Sequence, residues 1–151
     1  MKVGIISDSH GDLTPDIYSV FDGVDYIICA GDIGRPSVLW ELEAIAPTYA
    51  CLGNNDWQDY GSAVGRIARG IIGGVPFAVT HYPQDGEALA RGGGLKLVVH
   101  GHTHVPRDEM IGECRVINPG SATRPRKGSA RQCLIVELAD GVVGPARACL
   151  L

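Results

Sequence analysis

Residues 2–10 read KVGIISDSH, a short apolar run that passes directly into the polar motif Asp8-Ser9-His10. The run is rich in β-branched residues and is bounded by polar ones, which is typical of a buried strand. In α/β folds, ligands bind at the carboxyl ends of such strands. The stretch therefore predicts a buried strand that brings a carboxylate and an imidazole to one edge of a sheet.

Four further polar clusters follow apolar runs later in the chain: Gly31-Asp32, Gly53-Asn54-Asn55-Asp56, Thr80-His81 and Gly101-His102-Thr103-His104. Carboxylate, amide oxygen and neutral imidazole are ligands for hard-to-borderline divalent metals. Seven candidate ligands are too many for one tetrahedral ion, but they suit two neighbouring ions that share a carboxylate, which outlines a hydrolytic site. The candidates are Asp8, His10, Asp32, Asn54, His81, His102 and His104.

The first third of the chain alternates between predicted strands and helices. Asp12 can cap the first helix, with Pro15 in its first turn, and Pro36 opens the second helix, which Pro47 stops. The alternation predicts parallel strands joined by right-handed crossovers. The predicted elements are a strand over residues 2–6, a helix over 12–21, a strand over 24–29, a helix over 36–45 and a strand over 48–52.

Hairpin signals replace this alternation in the rest of the chain. Gly73-Gly74 and Asp140-Gly141 each separate two strand-like runs, and a further turn is expected near Gly112. The pattern predicts a mixed α/β fold of one domain over residues 1–151, with two packed sheets flanked by helices as a four-layer α-β-β-α sandwich. The remaining elements are strands over 66–72, 75–80, 95–99, 109–117, 132–138 and 142–148, and a helix over 84–90.

Composition argues against several classes of protein. A formal net charge of −4 gives no reason to expect general affinity for nucleic acid or anionic membrane, although Arg124, Arg126 and Lys127 form a local basic group. No apolar stretch approaches the roughly 20 residues of a membrane span, and no signal peptide is expected. The five cysteines form no C-x-x-C pair. They are expected to be reduced and mostly buried, which favours a cytoplasmic location.

The polar motifs, taken in order, resemble those of the calcineurin-like metallophosphoesterases: D-x-H, G-D, G-N-x-D, T-H and G-H-x-H. Asn118-Pro119-Gly120-Ser121 and Pro125-Arg126 are similar to the small single-domain branch of that family, the YfcE-like phosphodiesterases. The resemblance covers essentially the whole chain with suitable spacing. It implies the same layered fold and a hydrolase acting on phosphate ester bonds.

The resemblance also implies a role for each matching residue. Two divalent ions beside Asp8 and Asp32 would leave the site about two units positive, which suits an anionic phosphate. The implied reaction is direct attack of a metal-activated hydroxide on the phosphorus of a small phosphodiester. Manganese is the first choice of metal, and iron, zinc, nickel or cobalt are alternatives because mixed nitrogen and oxygen ligands admit them all. The implied ligands are Asp8, His10, Asp32 and His104 for the first ion, and Asp32, Asn54, His81 and His102 for the second, with Asp32 bridging.

One position departs from the family pattern. Asn55 stands where many members carry a histidine thought to protonate the leaving group, and an amide cannot act as a general acid near neutral pH. We therefore expect poor activity on alkyl phosphomonoesters and better activity on diesters with good leaving groups. Asp56 could supply the proton only with a raised pKa, and its expected role is to hold its loop. The residues expected at the catalytic centre are Asp32, Asn54, Asn55 and Asp56.

Several nearby residues admit two interpretations. His100 is expected to be a hydrogen-bonded strand-end residue rather than a ligand. Trp57 is expected to pack beneath its loop, with stacking on an aryl or base group as the alternative. Tyr82 follows His81 where members of the family usually have glycine, and it could narrow the site. The basic group at residues 124–127 either contacts phosphate or is a solvated loop.

Two classes of function remain open. The leading hypothesis is a metal-dependent phosphodiesterase. The alternative is a catalytically weak or inactive scaffold of the same fold that binds a protein partner. A nuclease is disfavoured by the acidic total charge, so nucleic acid is expected only as a short oligonucleotide or nucleotide substrate. An open cleft is expected because the chain has little room for a cap domain, and a homo-oligomer stays among the alternatives.

Overall fold

Ten strands and three helices follow one another in the computed structural model, which describes residues 1–151. The strands form two five-stranded sheets. In chain order the elements are β1 (Lys2–Ile6), α1 (Asp16–Val20), β2 (Tyr26–Cys29), α2 (Pro36–Ile45), β3 (Thr48–Ala50), β4 (Ile67–Ile72), β5 (Val75–Thr80), α3 (Pro83–Arg91), β6 (Leu97–Val99), β7 (Arg107–Ile111), β8 (Cys114–Asn118), β9 (Gln132–Ala139) and β10 (Val142–Leu150).

The first sheet has the strand order β10-β9-β1-β2-β3. β1 pairs in parallel with β2, and β2 with β3, which confirms the pairing predicted from the alternation of strands and helices. β9 pairs with the other side of β1 in the antiparallel direction and forms a hairpin with β10. The carboxyl ends of β1 and β2 therefore lie side by side, and the chain leaves both strands at the same edge.

The second sheet has the order β4-β5-β6-β8-β7. Its three central strands run parallel, and the hairpins β4–β5 and β7–β8 provide its two edges. The hairpin turns fall at Gly73-Gly74 and near Gly112, as the sequence predicts. Because β5 and β6 are parallel neighbours, the loops that follow them also leave the sheet at one edge.

The layers are held together by three groups of buried apolar side chains. Ile5 of the first sheet and Phe77 of the second belong to the group between the sheets. Phe21 and Leu42 belong to the group between the first sheet and helices α1 and α2. Ala90 of α3 packs with residues of β6 and β8 on the outer face of the second sheet. The predicted four-layer α-β-β-α sandwich is confirmed.

Some predicted element boundaries are wrong. The first helix begins at Asp16 rather than Asp12, because Asp12 donates its backbone N–H to the Ser9 carbonyl (3.1 Å) in a turn beside the end of β1. β2, β3 and β6 are each two residues shorter than predicted. β3 ends early because Leu52 donates its N–H to the carbonyl of Gly65 (2.8 Å), in the segment before β4.

Two loops cross where the chain leaves β1 and β2. His10 and Gly11 donate their backbone N–H groups to the carbonyls of Asp32 (2.9 Å) and Ile33 (2.7 Å). Gly34 has φ +92°, and a Cβ at this position would overlap the backbone of His10 and Gly11. Only glycine satisfies both the conformation and the space, so this crossing fixes where His10 lies.

We predict that Gly34→Ala lowers the free energy of unfolding by about 3 kcal/mol, because the new methyl group forces the two loops apart. Gly23→Ala is the matched control: Gly23 also has a positive φ (+71°), but a Cβ there would have no neighbouring atom within 4 Å. The control should lose about 1 kcal/mol, the cost of the left-handed conformation alone. Urea unfolding of the metal-free proteins measures both, and equal losses would contradict the crowded crossing.

Candidate metal centre

Four of the predicted ligands meet at the common edge of the two sheets. Asp8, His10, Asp32 and His104 each offer one ligand atom, and these atoms all lie within 4.8 Å of one another. Asp8 and His10 follow β1, Asp32 follows β2, and His104 lies in the loop between β6 and β7. The parallel strand ends of both sheets thus contribute to one cluster, as the sequence predicts.

The other three predicted ligands gather on a neighbouring side of Asp32. Asn54 Oδ1 lies 3.0 Å from His81 Nε2 and 3.2 Å from His102 Nδ1. His81 Nε2 is in turn 3.5 Å from Asp32 Oδ1. All seven side chains therefore converge, and Asp32 stands between the two groups.

Two of the imidazoles are oriented by backbone carbonyls. His81 Nδ1 lies 2.7 Å from the Ala30 carbonyl, and His104 Nδ1 lies 2.6 Å from the Arg124 carbonyl. Since a carbonyl can only accept, each Nδ1 carries the proton, and in the neutral ring each Nε2 presents a lone pair. Metal-binding histidines are held in this way in most proteins.

These lone pairs face other acceptors. Asp8 Oδ1 is buried without any hydrogen-bond partner, and the closest of the three imidazole nitrogens around it is His104 Nε2 at 3.3 Å. His10 Nε2 lies 3.1 Å from His104 Nε2. On the other side, His81 Nε2 faces oxygen atoms of both Asn54 and Asp32. Acceptor atoms in contact repel one another unless a positive charge lies between them. This set of ligand atoms therefore fits divalent cations.

The electrostatics favour positive charge at the same place. The adjacent Asp8 carboxylate raises the pKa of His104. Burial lowers the pKa of His81, but the neighbouring Asp32 carboxylate and the Ala30 carbonyl outweigh it, and the net shift is upward. Burial also opposes ionisation of Asp32, yet His81 and the hydrogen bonds from Asn55 hold the Asp32 pKa well below its ordinary value. Asp32 is therefore a carboxylate at neutral pH.

The backbone of the site is strained. Non-glycine residues seldom adopt the left-handed region, and those that do are concentrated at functional sites. Five of the seven predicted ligands have positive φ: Asp8 (53°), His10 (50°), Asp32 (47°), His102 (74°) and His104 (60°).

Residues 1–141 match the family described as the calcineurin-like phosphoesterase superfamily domain. The chain belongs to the calcineurin-like phosphoesterase superfamily. A probable metallophosphoesterase of Methanothermobacter thermautotrophicus is 33% identical over 138 residues, which cover 83% of this chain and 80% of that protein. Membership confirms the predicted family and the class of hydrolase, one that acts on phosphate esters.

Solved structures show the same fold. A structure described as a novel archaeal phosphodiesterase is 27% identical with a TM-score of 0.83, and all of both chains is covered. YfcE, a phosphoesterase from E. coli, has a TM-score of 0.72 at 21% identity, over 98% of this chain and 99% of its own. Vps29 of Entamoeba histolytica, solved in complex with Zn²⁺, also has a TM-score of 0.72 at 21% identity and covers 99% of each chain.

Glycines allow this superfamily member to bring its ligand loops so close together. A Cβ at Gly53 would overlap the Asp32 carboxylate, and a Cβ at Gly101 would overlap Ser7 Oγ and lie 2.6 Å from Asp8 Oδ2. The glycines of the G-N and G-H motifs are thus needed for close approach rather than for a turn alone.

Asn55 and Asp56 form hydrogen bonds within the protein and are not part of the two ligand groups. Asn55 donates its backbone N–H to Asp32 Oδ1 (3.0 Å) and its side-chain amide to Asp32 Oδ2 (2.8 Å). Asp56 accepts hydrogen bonds from the backbone N–H groups of Ile33, Gly34 and Gly53 and from the Tyr60 hydroxyl. The geometry does not support Asp56 as the alternative acid. Its carboxylate holds the loops together, as its expected structural role requires.

The remaining interpretations divide. His100 is buried and hydrogen-bonded, with Nε2 3.2 Å from Arg107, so it is a strand-end residue as expected. The prediction that Trp57 packs beneath its loop is wrong, because this side chain is 77% exposed. Arg124 and Arg126 are exposed. After the larger effects of burial and of a neighbouring histidine, the Arg124 charge lowers the pKa of His10 and the Arg126 charge lowers the pKa of His102. The basic group therefore lies beside the ligands.

Sequence reasoning missed the hydroxyl groups that anchor the first ligand. Ser7 Oγ donates to Asp8 Oδ2 (2.6 Å), and Ser121 Oγ donates to the Asp8 carbonyl (2.8 Å). Thr123 Oγ1 donates to the Ser9 carbonyl at 3.1 Å. Ser7 and Thr123 flank recognised motifs and Ser121 ends one, so the signal was small hydroxyl residues at motif edges, but nothing local distinguishes them from ordinary loop residues.

Two grooves lie near the centre. The larger, of about 570 Å³, runs between β4 and α3 and touches none of the predicted ligands. The smaller, of about 490 Å³, is lined by Gly53 and Asp56 of the ligand loop and by Tyr82, which follows His81. The smaller groove is the one that adjoins the predicted ligands.

None of the three helices is long and apolar enough to span a membrane.

We predict that Asp56→Ala lowers the unfolding temperature by about 6 to 12 °C, because three backbone donors and one hydroxyl lose a charged partner. Asp59→Ala is the control on the same loop, since Asp59 is exposed and accepts one local hydrogen bond from Gly61. Its unfolding temperature should change by less than about 3 °C. Thermal unfolding followed by circular dichroism measures both, and equal shifts would contradict the structural role of Asp56.

Proposed function

We propose that this phosphoesterase is a metal-dependent phosphodiesterase with a dinuclear centre. The observation that carries the proposal is the pair of ligand groups on either side of Asp32, each with lone pairs directed at other acceptors. In this arrangement Asp32 would be a ligand of both ions. The ligands of the first ion would be Asp8, His10, Asp32 and His104, and those of the second Asp32, Asn54, His81 and His102.

Two divalent cations, when bound, neutralise phosphate charge and lower the pKa of a water molecule. The protein supplies the frame for them: Asp8 and Asp32 provide two negative charges, and the imidazoles and the Asn54 amide provide neutral ligands. Mixed nitrogen and oxygen ligands favour a transition metal, with manganese the first choice and iron, zinc, nickel and cobalt as alternatives.

Water is the proposed nucleophile because the two serine hydroxyls that flank Asp8 are already engaged. The hydroxyls of Ser7 and Ser9 are buried and already donate to Asp8 Oδ2 and to the Ile33 carbonyl. Arg124 and Arg126 carry positive charge beside the ligands, where they can attract an anionic substrate. The substrate phosphate would thus approach an electropositive rim, and water would attack its phosphorus directly and displace the leaving alcohol.

A diester with a good leaving group is the proposed substrate. The Asn55 amide, which occupies the position of the family's acid, is committed to Asp32 and has no proton to give near neutral pH. The leaving oxygen must therefore depart without a proton from this side chain. The description of the archaeal neighbour as a phosphodiesterase supports the same substrate class. A nucleotide or short oligonucleotide fits this class.

A protein scaffold is the second candidate. Its support is the shared fold of the Vps29 structures, at 21% identity for the zinc complex. The convergence of all seven predicted ligands favours the enzyme, because a scaffold does not need buried acceptors in contact.

We also place the protein in a reducing compartment such as the cytoplasm, since its five cysteines are unpaired and buried. A homo-oligomer is compatible with the proposal.

We predict that the purified protein hydrolyses bis(4-nitrophenyl) phosphate when Mn²⁺ is added and loses this activity in EDTA. Asp8→Asn should lower kcat/KM by about 100-fold and reduce the amount of bound Mn²⁺, since it removes half of the carboxylate charge at the site. Glu43→Gln is the control, because Glu43 is an exposed carboxylate on α2. Absence of turnover in a protein shown to bind Mn²⁺ would favour the scaffold.

We predict that Asn55→His raises kcat/KM most for diesters with poor leaving groups. A histidine at this position can protonate the leaving oxygen, and general acids contribute about 10² to 10⁴ in rate. The measurement is the dependence of kcat/KM on leaving-group pKa over a series of aryl and alkyl diesters. The slope should be steep in the wild type and shallower in Asn55→His, whereas Asn55→Ala should keep the steep slope at lower activity. Parallel slopes in all three proteins would show that Asn55 does not occupy the acid's position.

A further inference from the structure

Tyr82 forms part of the wall between the second ligand group and the smaller groove. Its ring centroid lies 5.3 Å from that of His81, edge to face, and 5.0 Å from that of His102. The side chain is half-buried, and it also lines the groove of about 490 Å³ that begins at the ligand loop. The same ring thus touches two predicted metal ligands and a space large enough for a substrate substituent.

Arg66 lies over the Tyr82 ring and lines the same groove. Its guanidinium carbon is 6.0 Å from the ring centroid, and it pairs with Asp85 at 3.3 Å. The Arg66 side chain is 75% exposed, so both interactions are weak and the guanidinium can move at little cost. A planar group that enters the groove would therefore find an aromatic face on one side and a mobile guanidinium on the other.

We propose that Tyr82 and Arg66 form a subsite for an aromatic substituent of the substrate, an aryl group or a nucleobase, on the ester that is not cleaved. Aromatic rings and guanidinium planes both stack on flat π systems, and neither requires a particular hydrogen-bond pattern. The Tyr82 ring is positioned by its contacts with the His81 and His102 rings. The subsite accepts flat groups rather than one particular base.

The subsite rests on the proposed phosphodiesterase function, and it narrows the substrate class. A diester whose retained ester is aromatic would gain contacts that a methyl ester lacks. Because the groove adjoins the Asn54, His81 and His102 group, the aromatic ring lies on that side of the centre. The larger groove shares Arg66 and Asp85 with the smaller one, so a longer substituent has a path beyond the subsite.

The test compares bis(4-nitrophenyl) phosphate with methyl 4-nitrophenyl phosphate in the Mn²⁺-loaded protein. Both release 4-nitrophenolate and differ only in the retained ester, so comparing variants with wild type cancels the intrinsic reactivity. The ratio of kcat/KM for bis(4-nitrophenyl) phosphate to kcat/KM for methyl 4-nitrophenyl phosphate should fall about threefold to tenfold in Tyr82→Ala. This is the range expected for loss of one aromatic contact. It should fall about twofold in Arg66→Ala, whose exposed side chain can be removed without disturbing the fold.

Two controls separate stacking from general damage. Tyr82→Phe keeps the ring and should hold the ratio within twofold of wild type. Tyr18→Ala removes a half-exposed tyrosine from α1 that does not line the groove, and it should also leave the ratio unchanged. Calorimetric Kd values for phenylphosphonate relative to methylphosphonate should follow the same order among the variants, which gives a readout without turnover.

The outcomes distinguish this inference from the function on which it rests. Hydrolysis with an unchanged ratio in both Tyr82→Ala and Arg66→Ala would overturn the subsite and leave the phosphodiesterase intact. Failure of the Mn²⁺-loaded wild type to hydrolyse either diester would overturn the proposed function and the subsite with it. A ratio that falls in Tyr82→Ala and Arg66→Ala but holds in Tyr82→Phe supports the aromatic subsite.

Discussion

Mutual repulsion among buried acceptors is the constraint on which the site depends. Asp8 Oδ1 has no donor, and in the neutral rings His104 Nε2 and His81 Nε2 present lone pairs to carboxylate oxygens because backbone carbonyls hold their Nδ1 protons. A fold that buries such groups without compensation loses several kcal/mol for each. Positive charge at the two positions beside Asp32 removes the conflict, so cation binding and the stability of this edge are linked.

The sandwich architecture makes the convergence possible. Parallel strands β1, β2 and β3 of one sheet and β5 and β6 of the other end at the same edge, and the loops that leave them carry the ligands. Each ligand then lies within a few residues of a strand end, and the crossing at Gly34 and the hydrogen bonds to Asp56 hold the loops in place. A rigid frame of this kind keeps the donor atoms in place before a metal arrives.

Most of the fold, and the convergence of the seven candidate ligands, could be predicted from sequence because strand ends and polar motifs coincide. His102 and His104 alternate along the chain and would point to opposite sides of an extended segment. Their left-handed φ values, which no local pattern predicts, bring both into the site. The position of Trp57 could not be predicted from sequence either, because packing beneath a loop depends on distant residues. Likewise, only the assembled structure shows that Asn55 contacts Asp32 while its neighbour Asp56 points to the loop backbone.

Anomalous scattering from a crystal of the Mn²⁺-loaded protein, measured on both sides of the manganese absorption edge, tests the central claim most directly. The account predicts two peaks that share Asp32, one also against Asp8, His10 and His104 and the other also against Asn54, His81 and His102. A single peak, or peaks away from Asp32 in a protein that binds manganese, would contradict it.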